Sequence, residues 1–455
     1  MVIMGQIKLF TLCVASLFIL SAFSPTIACR DNENSDYDLL IITPKKFVSP
    51  LNKLKIHKEK HGIVTKIVEL ETIYSLKNCP GRDKQEKIKY FIKQEFDNHK
   101  ISFVLLVGGF RYIPIRYCHN VGKYSAFTES KFISDLYYAD LIDDKNNFSS
   151  WDSNNNGIYG EWVGSSAEDY DIDLKPDVAI GRLPCNNIFE VITCVNKIIR
   201  YEEKTYGKAW FKNMVGVGGD SYTEFAGNEG EINTLNAMNN MPGFNHIKIW
   251  VSNGKLTGPS SVIKEINKGC GFIYFDGHGT PNMWATYPSG DNTTMIHGLD
   301  NKNMIYLFNH DKLPICIVSG CHNNQFDVHP SRIFSDSFYR YTWVYKCWGW
   351  YLVSKIFGGS IVTIGDTGFG YSKEDKQSQR GADSYLVPRF FWEYGINGTS
   401  IIGNVWVNAI RNYLDVFPIN WSDPFGSDSS IDAKTVQQWA LIGDPSLKIG
   451  GYPNN

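Results

Sequence analysis

The sequence predicts an α/β fold with two packed α/β subdomains and mainly parallel sheets. Two observations predict it. Short apolar segments alternate with longer amphipathic segments in both halves of the chain, as in strand–helix–strand units. The short segments are almost wholly apolar, which is typical of parallel strands covered by helices on both faces. A chain of 455 residues is long enough for two such units.

The N-terminal subdomain is predicted over residues 36–205. Its strands and helices alternate in the segments YDLLIITP, SPLNKLKIHKEKHG, IVTKIVEL, RDKQEKIKYFIKQEFDNH and FVLLVGG, and a later helix is predicted in EVITCVNKIIRYEEKT. Asp83 and Glu86 have the spacing of a capping box, which fixes the start of the second helix. The order is that of a βαβαβ unit, so the strands should be parallel.

The C-terminal subdomain is predicted over residues 210–450 and repeats the alternation. It begins with NMVGVGGDSY and continues through strand HIKIWV, helix SSVIKEINKG, strands GFIYF and ICIVS, helix WVYKCWGWYLVSKIF and strand SIVTIG. The segment VGVGGD lacks the full Gly-x-Gly-x-x-Gly spacing, and no phosphate-binding Gly-x-x-x-x-Gly-Lys motif occurs. The sequence therefore does not predict nucleotide binding.

Residues 1–28 are predicted to be a secretory signal peptide. Lys8 precedes a long apolar run, and small residues surround a cleavage point near Ala28. Lipidation of Cys29 is the alternative, but Thr26 stands where lipoprotein signals usually carry an aliphatic residue. The most apolar later segment is interrupted by Lys355 and a Gly-Gly pair, so no membrane span is predicted. We expect a secreted product, free or associated with the cell surface.

Charge and cysteine content narrow the function classes further. The chain has 45 basic and 47 acidic residues with no block of like charge, so nucleic-acid binding is not expected. Ten cysteines leave nine once Cys13 is removed with the signal, and an odd number leaves one thiol unpaired in an oxidising compartment. Cys316, inside an apolar strand, is the natural buried free cysteine. No feature of the sequence sets an oligomeric state.

A histidine and a cysteine follow two of the predicted strands at matching positions. His278 lies just after GFIYF, and Cys321, 43 residues later, lies just after ICIVS. One crossover connection fits between them, so the carboxyl ends of adjacent parallel strands would bring the two side chains together. A thiol with a neighbouring imidazole is suited to nucleophilic attack on an acyl carbon. Gly277 and Gly279 allow the backbone to approach a substrate.

Each residue alone has a plainer interpretation. A lone histidine after a strand is usually structural, and a Gly-Cys pair after a strand usually belongs to the core. Together, and with one unpaired thiol in an exported protein, they favour a cysteine hydrolase. His322 is the nearest histidine in sequence to Cys321, but neighbours in an extended chain point to opposite faces, so it is a poor partner.

The motifs around both residues resemble those of gingipain-type cysteine peptidases. The histidine motif of that family is matched by His278, Gly279 and Trp284, and its Cys-x-Asn-x-x-Phe motif by Cys321, Asn323 and Phe326. The likeness runs from about Tyr37 to the C-terminal LIGDPSLKI. It implies a caspase-like fold and a secreted cysteine endopeptidase acting on protein or peptide substrates.

The resemblance also implies roles for individual residues. Cys321 would be the nucleophile and His278 the general acid and base, with the backbone N–H groups of Gly279 and Cys321 facing the oxyanion. Asp177, which precedes VAIGR, would orient the imidazole; its alternative role is to cap a strand. No position matches the acid that selects a basic residue at P1, so a preference for Arg or Lys does not follow from the resemblance.

A third motif predicts structural Ca²⁺. In WDSNNNGIYGEW, the side chains of Asp152, Asn154 and Asn156 and the carbonyl of Ile158 have the spacing of the first half of a calcium loop. The closing glutamate is absent at the twelfth position, which is Val163, and its substitute would be Glu161 or one of the acidic residues at 168–173. The alternative is an Asn-Gly turn on an acidic surface.

Two other functions remain compatible with the sequence. A transpeptidase or asparaginyl-type hydrolase would use the same pair of residues and would differ in its products. A catalytically inactive, calcium-stabilised surface or adhesion protein would keep the fold without the chemistry, and labelling of Cys321 by an electrophilic probe separates it from an enzyme.

Overall fold

The computed structural model describes residues 36–77, 79–124, 127–170, 172–223, 227–330, 344–372 and 381–453. The predicted signal peptide and Cys29 lie outside these residues. From Asp36 onward the chain forms a single compact unit.

The centre of the molecule is a ten-stranded sheet with strand order β10-β9-β11-β15-β16-β17-β8-β3-β1-β2. Its strands are β1 (Leu39–Thr43), β2 (Thr65–Glu69), β3 (Phe103–Val107), β8 (Ala179–Leu183), β9 (Asn213–Gly218), β10 (Asn245–Trp250), β11 (Phe272–Asp276), β15 (Ile315–Ser319), β16 (Val362–Asp366) and β17 (Trp439–Ile442). Smaller sheets contain β4 (Arg116–Cys118) with β7 (Phe132–Ser134), β5 (Gly122–Tyr124) with β6 (Phe127–Glu129), and β12 (His278–Thr280) with β13 (Met283–Thr286) and β14 (Ile296–Asp300).

Helices flank the large sheet. They are α1 (Val48–Lys60), α2 (Leu70–Ser75), α3 (Lys84–His99), α4 (Ile188–Lys204), α5 (Glu229–Asn239), α6 (Pro259–Lys268), α7 (Trp348–Ser354), α8 (Asp383–Gly395), α9 (Ile402–Val416) and α10 (Asp428–Gln438). The Asp83 carboxylate accepts the backbone N–H of Glu86 at 2.8 Å, which confirms the predicted cap of α3.

Alternate residues of the central strands face two separate hydrophobic layers. In β11, Phe272 and Tyr274 pack into one layer, whereas Ile273 and Phe275 pack into the other. Burial on both faces explains why the strands carry apolar residues without alternation, and it confirms the predicted α/β class.

The two halves of the chain share this one sheet. β8, β3, β1 and β2 come from the predicted N-terminal subdomain, and the remaining strands come from the C-terminal one. The halves meet where β17 and β8 pair at Ile442 and Arg182. β17 runs antiparallel to β16 and parallel to β8, so the strands of the N-terminal half run opposite to β16 and the rest of the C-terminal strands. The predicted parallel order therefore holds within each half of the sheet but not across the junction. The boundary at residues 205–210 therefore stays a prediction about chain organisation, since both halves belong to one compact unit.

The helix predicted in residues 343–357 is shorter in the structure, where α7 covers Trp348–Ser354; residue 343 lies outside the described part of the chain. The buried side chain of Lys197 lies at its C-terminal end. The Lys197 ammonium donates to the carbonyl oxygens of Val353 at 2.7 Å and Gly358 at 2.9 Å. These bonds satisfy carbonyl groups that a longer helix would have bonded internally.

The described residues include eight cysteines. All eight are free thiols, and Cys316 in β15 is fully buried. Within the same residues, none of the helices has both the length and the hydropathy needed to cross a bilayer.

Candidate active site

The predicted pairing of the two strand ends that precede His278 and Cys321 is present. β11 and β15 are parallel neighbours, and Asp276 is the register partner of Ser319. The backbone N–H of Gly277 continues the ladder by donating to the Ser319 carbonyl at 3.0 Å. His278 and Cys321 therefore each lie two residues beyond a paired position, and both line one cavity of about 240 Å³.

Gly279 brings the histidine segment into direct contact with the cysteine segment. A Cβ placed on Gly279 would lie 2.6 Å from the Cys321 carbonyl oxygen and from the Gly320 carbonyl carbon, so no larger residue fits there without movement. The amide of Asn323 fastens the same contact. Its Nδ2 donates to the carbonyl oxygens of Thr280 at 2.7 Å and Met283 at 2.9 Å. The asparagine of the Cys-x-Asn-x-x-Phe motif thus holds the hairpin that follows His278 through two hydrogen bonds.

Trp284 packs against both the histidine segment and the cysteine segment. Its indole is fully buried and packs on the Phe275 ring at 5.3 Å. Cβ atoms placed on Gly277 and Gly320 would lie 2.8 Å and 3.1 Å from indole carbon atoms of Trp284. The tryptophan of the histidine motif therefore packs against both glycine-containing turns that carry His278 and Cys321, and its contacts limit how far either turn can move.

The imidazole of His278 packs edge-to-face on Tyr287 with ring centroids 5.5 Å apart. Tyr287 is itself held by Asp220, because the two residues exchange backbone hydrogen bonds of 2.9 and 3.1 Å. The buried Asp220 carboxylate accepts the backbone N–H groups of Tyr222 at 2.9 Å and Gly290 at 3.0 Å. Asp220 is the last residue of the segment VGVGGD after β9, and no role for it was predicted from the sequence.

The thiol of Cys321 is partly exposed to the cavity, and its Sγ lies 3.9 Å from the carbonyl oxygen of Gly370. Desolvation raises the pKa of the Cys321 thiol to about 12, and the nearby carboxyl groups of Asp366, Glu129 and Asp383 push it in the same direction. The free protein therefore holds a thiol at neutral pH, and attack on a carbonyl requires a base that removes its proton.

Two aspartates line the cavity, and a third is buried beside one of them. Asp276 and Asp383 line it, and burial raises the pKa of Asp276 to about 7 and that of Asp383 to about 6. Asp366 is fully buried beside Asp383, and its pKa is raised well above the usual range by burial and by that neighbour. Burial disfavours the charged form of all three carboxyl groups, and Lys434 only partly offsets this at Asp366. None of the three was predicted from the sequence as part of the site.

The structure does not bring Asp177 to His278. Asp177 precedes β8, which lies four strands from β11, and at about 4.8 Å per strand the two are separated by roughly 19 Å. The Asp177 carboxylate instead accepts the backbone N–H groups of Leu141 at 2.6 Å and Ile142 at 3.0 Å. Asp177 thus holds the segment at residues 141–142 beside the start of β8.

The predicted calcium ligands bond to one another and to Arg82. The Arg82 guanidinium lies 2.6 Å from the buried Asp152 carboxylate. The side-chain oxygens of Asn154 and Asn156 accept the N–H groups of Asn156 at 2.9 Å and Ile158 at 2.7 Å, and Asn156 Nδ2 donates to Glu161 at 2.8 Å. Among the described residues, there is also no cluster of three His, Cys, Asp or Glu side chains suited to a metal. In this arrangement the loop does not fit Ca²⁺, because an arginine already neutralises its central carboxylate.

Chelation should therefore leave the stability of the protein unchanged. We expect EDTA and added Ca²⁺ to shift the melting temperature by less than about 1 °C, since the Arg82 guanidinium already occupies the Asp152 carboxylate that an ion would need. Arg82→Met should lower the melting temperature, because it leaves the buried Asp152 carboxylate without its cation. A clear drop on chelation of the wild-type protein, measured by differential scanning fluorimetry, would restore the calcium prediction.

The fold and the cavity together define the class of a cysteine peptidase. A family model for peptidase family C25 matches residues 32–450, and the chain belongs to that family. Its structure is similar to that of the Arg-specific cysteine proteinase gingipain R, with a TM-score of 0.60 and 19% identity, covering 92% of this chain and 79% of the other. The fold is thus the caspase-like fold that the sequence predicted.

Two further relatives extend the comparison. The complex of the pro- and mature domains of RgpB from Porphyromonas gingivalis is similar with a TM-score of 0.58 and 18% identity, covering 90% of this chain and 79% of that one. An uncharacterized protein of Archaeoglobus fulgidus is 24% identical over 349 residues, which are 72% of this chain and 75% of the relative.

Proposed function

We propose that this protein is an endopeptidase in which Cys321 is the nucleophile and His278 the general acid and base. The observation that supports it most is the shared register of β11 and β15, which presents both residues to one cavity. Because burial keeps the Cys321 thiol protonated in the free protein, His278 has to take its proton as the sulfur attacks the peptide carbonyl.

The remaining steps follow from the same two groups. The protonated His278 gives its proton to the leaving amine as the C–N bond breaks, and an acyl thioester remains on Cys321. His278 then removes a proton from water, which attacks the thioester and releases the acid and the free thiol. The backbone N–H groups of Gly279 and Cys321 are the proposed oxyanion donors, and both residues line the cavity.

We assign the positioning of His278 to Asp220 in place of Asp177. Asp220 follows β9, the immediate neighbour of β11, and its backbone holds Tyr287 against the imidazole. Glu229 adds a carboxyl group beside it, and burial and Asp220 raise the pKa of Glu229. In this scheme Asp220 positions His278 indirectly, through the Tyr287 ring that packs on the imidazole.

The two aspartates that line the cavity suggest the substrate class. We propose that it receives a basic P1 side chain, whose charge would neutralise Asp276 and Asp383. Buried carboxyl groups without a cation are costly, so a guanidinium or ammonium group that enters gains more there than at a solvated site. The similar structure of gingipain R is described as Arg-specific, which agrees with this assignment.

Asp276→Asn should separate binding of the P1 residue from the chemistry. We expect kcat/KM for a peptide with Arg at P1 to fall roughly 100-fold, since one buried charge partner is lost. A matched peptide with Leu at P1 should change less than about threefold. Asp300→Asn, a buried carboxyl group that does not line the cavity, is the control and should leave the Arg/Leu ratio unchanged.

The same variant makes a prediction about stability and pH. A carboxyl group with a raised pKa favours the folded state when protonated, so its contribution is present below about pH 4 and is lost as the pH rises through about 7. Asp276→Asn should therefore melt at a higher temperature than wild type at pH 8 and at a similar temperature at pH 4. An unchanged Arg/Leu ratio together with unchanged melting at pH 8 would reject Asp276 as the P1 carboxylate.

Digestion of a denatured protein mixture tests the proposed function as a whole. We expect internal cleavage sites with Arg or Lys at P1, and no products with Cys321→Ala. Ligated products would favour the transpeptidase, and a complete absence of cleavage with correctly folded protein would favour the inactive surface protein. Export remains proposed from the signal-like residues 1–28.

A further inference from the structure

We propose that Glu129 is a positioning residue that holds both the nucleophile turn and the opposite wall of the catalytic cavity. The proposal rests on the peptidase function proposed above. Glu129 ends β6 in the N-terminal half of the chain, and its side chain is only 7% exposed. A carboxylate from one half thus reaches the site built by the other half.

The first contact is to the residue beside the nucleophile. Glu129 Oε1 lies 3.3 Å from Nε2 of His322. His322 follows Cys321 directly and has a left-handed backbone with a φ of 61°, which a residue with a side chain adopts only when its surroundings hold it there. Gln325 fixes the other ring nitrogen at 2.7 Å. The conformation of the Cys321 turn therefore depends on what holds the His322 ring.

The second contact is to the wall that faces the thiol. Glu129 Oε2 accepts the backbone N–H of Phe369 at 3.1 Å. Phe369 and Gly370 line the cavity, and the carbonyl oxygen of Gly370 lies 3.9 Å from Cys321 Sγ. The His322 ring packs on Phe369 with centroids 5.0 Å apart, and the His322 N–H donates to Gly368 at 2.8 Å. One carboxylate thus ties together the two segments whose separation sets the room around the sulfur.

Charge keeps this carboxylate ionised. Burial opposes ionisation, but Lys434 from α10 forms an ion pair with Glu129, and together with His322 it lowers the pKa of Glu129. Asp366 and Asp383 are the other charged groups that, with Glu129, act on Cys321. Glu129 consequently has two effects on the nucleophile, since it fixes the geometry of the turn and its negative charge raises the pKa of the thiol.

Glu129→Gln separates these effects. Glutamine keeps the size of the side chain and an oxygen for the Phe369 N–H, but it removes the charge. We expect kcat to fall at least about tenfold with KM changed less than about threefold, because the nucleophile turn loosens while the P1 carboxyl groups remain. The pH profile of Cys321 alkylation by iodoacetamide should move to lower pH, because a negative charge near the thiol is gone.

Two further variants make the result decisive. Glu95→Gln changes a largely buried glutamate remote from the cavity and should alter neither kcat nor the alkylation profile. His322→Asn removes the contact to Glu129 and keeps a residue that tolerates the left-handed backbone. It should also reduce kcat, and it therefore tests the same contact even if Glu129→Gln does not fold.

The outcomes distinguish this inference from the proposed function. If wild type cleaves peptides and Glu129→Gln keeps kcat within threefold with an unmoved alkylation profile, Glu129 is only structural and this inference is wrong. The inference is also contradicted if Glu129→Gln lowers kcat without moving the pH profile of Cys321 alkylation. It is contradicted equally if Glu95→Gln changes kcat and the alkylation profile as much as Glu129→Gln does. If wild type neither cleaves nor is labelled, the proposed function itself fails.

Discussion

Cys321→Ala should lose peptide cleavage by roughly 10⁴-fold or more, with its fold unchanged. The variant removes the atom that forms the acyl intermediate, and the remaining groups supply only binding and oxyanion contacts. Because the thiol is held protonated by burial and makes only a weak 3.9 Å contact to Gly370, its removal should change the melting temperature little. Steady-state hydrolysis of an Arg-P1 peptide and a thermal melt measure both effects.

Cys316→Ala is the matched control for this prediction. Cys316 lies in β15, the same strand that leads to Cys321, but its thiol is fully buried in the core away from the cavity. This variant should retain cleavage and lose some stability through the small cavity it leaves. Cleavage by Cys321→Ala at a rate near that of wild type would move the nucleophile to another residue.

Trp284→Ala should give the largest combined loss of stability and activity. Removing a fully buried tryptophan costs about 3–5 kcal/mol of unfolding free energy. Since the indole supports the turns at Gly277 and Gly320, we also expect kcat/KM to fall about 100-fold at temperatures where the variant is folded. Urea unfolding and hydrolysis of the Arg-P1 peptide measure the two losses separately.

Trp406→Ala separates a general loss of stability from this specific support. Trp406 in α9 is equally buried, but its indole N–H donates to Trp439 at 3.1 Å, and it does not line the catalytic cavity. It should lose a similar unfolding free energy while the folded fraction keeps kcat/KM within about threefold. Equal activity losses in both variants would show that Trp284 has no special role at the site.

The sequence was sufficient for the features that depend on local pattern. Apolar segments located most strands of the large sheet, and the matching positions of His278 and Cys321 after two of them predicted that adjacent parallel strands would bring the residues together. The prediction succeeded because the path from strand to strand end is short and its geometry is regular.

Features that depend on distant pairing were not predictable in the same way. The antiparallel strand β17 enters between β16 and β8, and only this strand order reveals that Asp177 lies far from His278. Asp276 lies two residues before His278, but its importance depends on Asp383, which is distant in sequence and reaches the cavity from α8. Arg82 likewise reaches the loop at Asp152 from 70 residues away. The spacing of residues within one segment does not predict contacts with residues that are distant in sequence.

The most direct test of the account is to map the adduct of an acyloxymethyl ketone probe with Arg at P1 on the wild-type protein. This electrophile reacts with a thiol that is activated in a substrate-like complex, so the account predicts one adduct per chain, on Cys321, formed in parallel with loss of cleavage. Peptide mass spectrometry identifies the modified residue, and excess Arg-P1 peptide should slow the labelling. An adduct on another cysteine, or full inactivation with Cys321 unmodified, would contradict the assignment of Cys321 as the nucleophile.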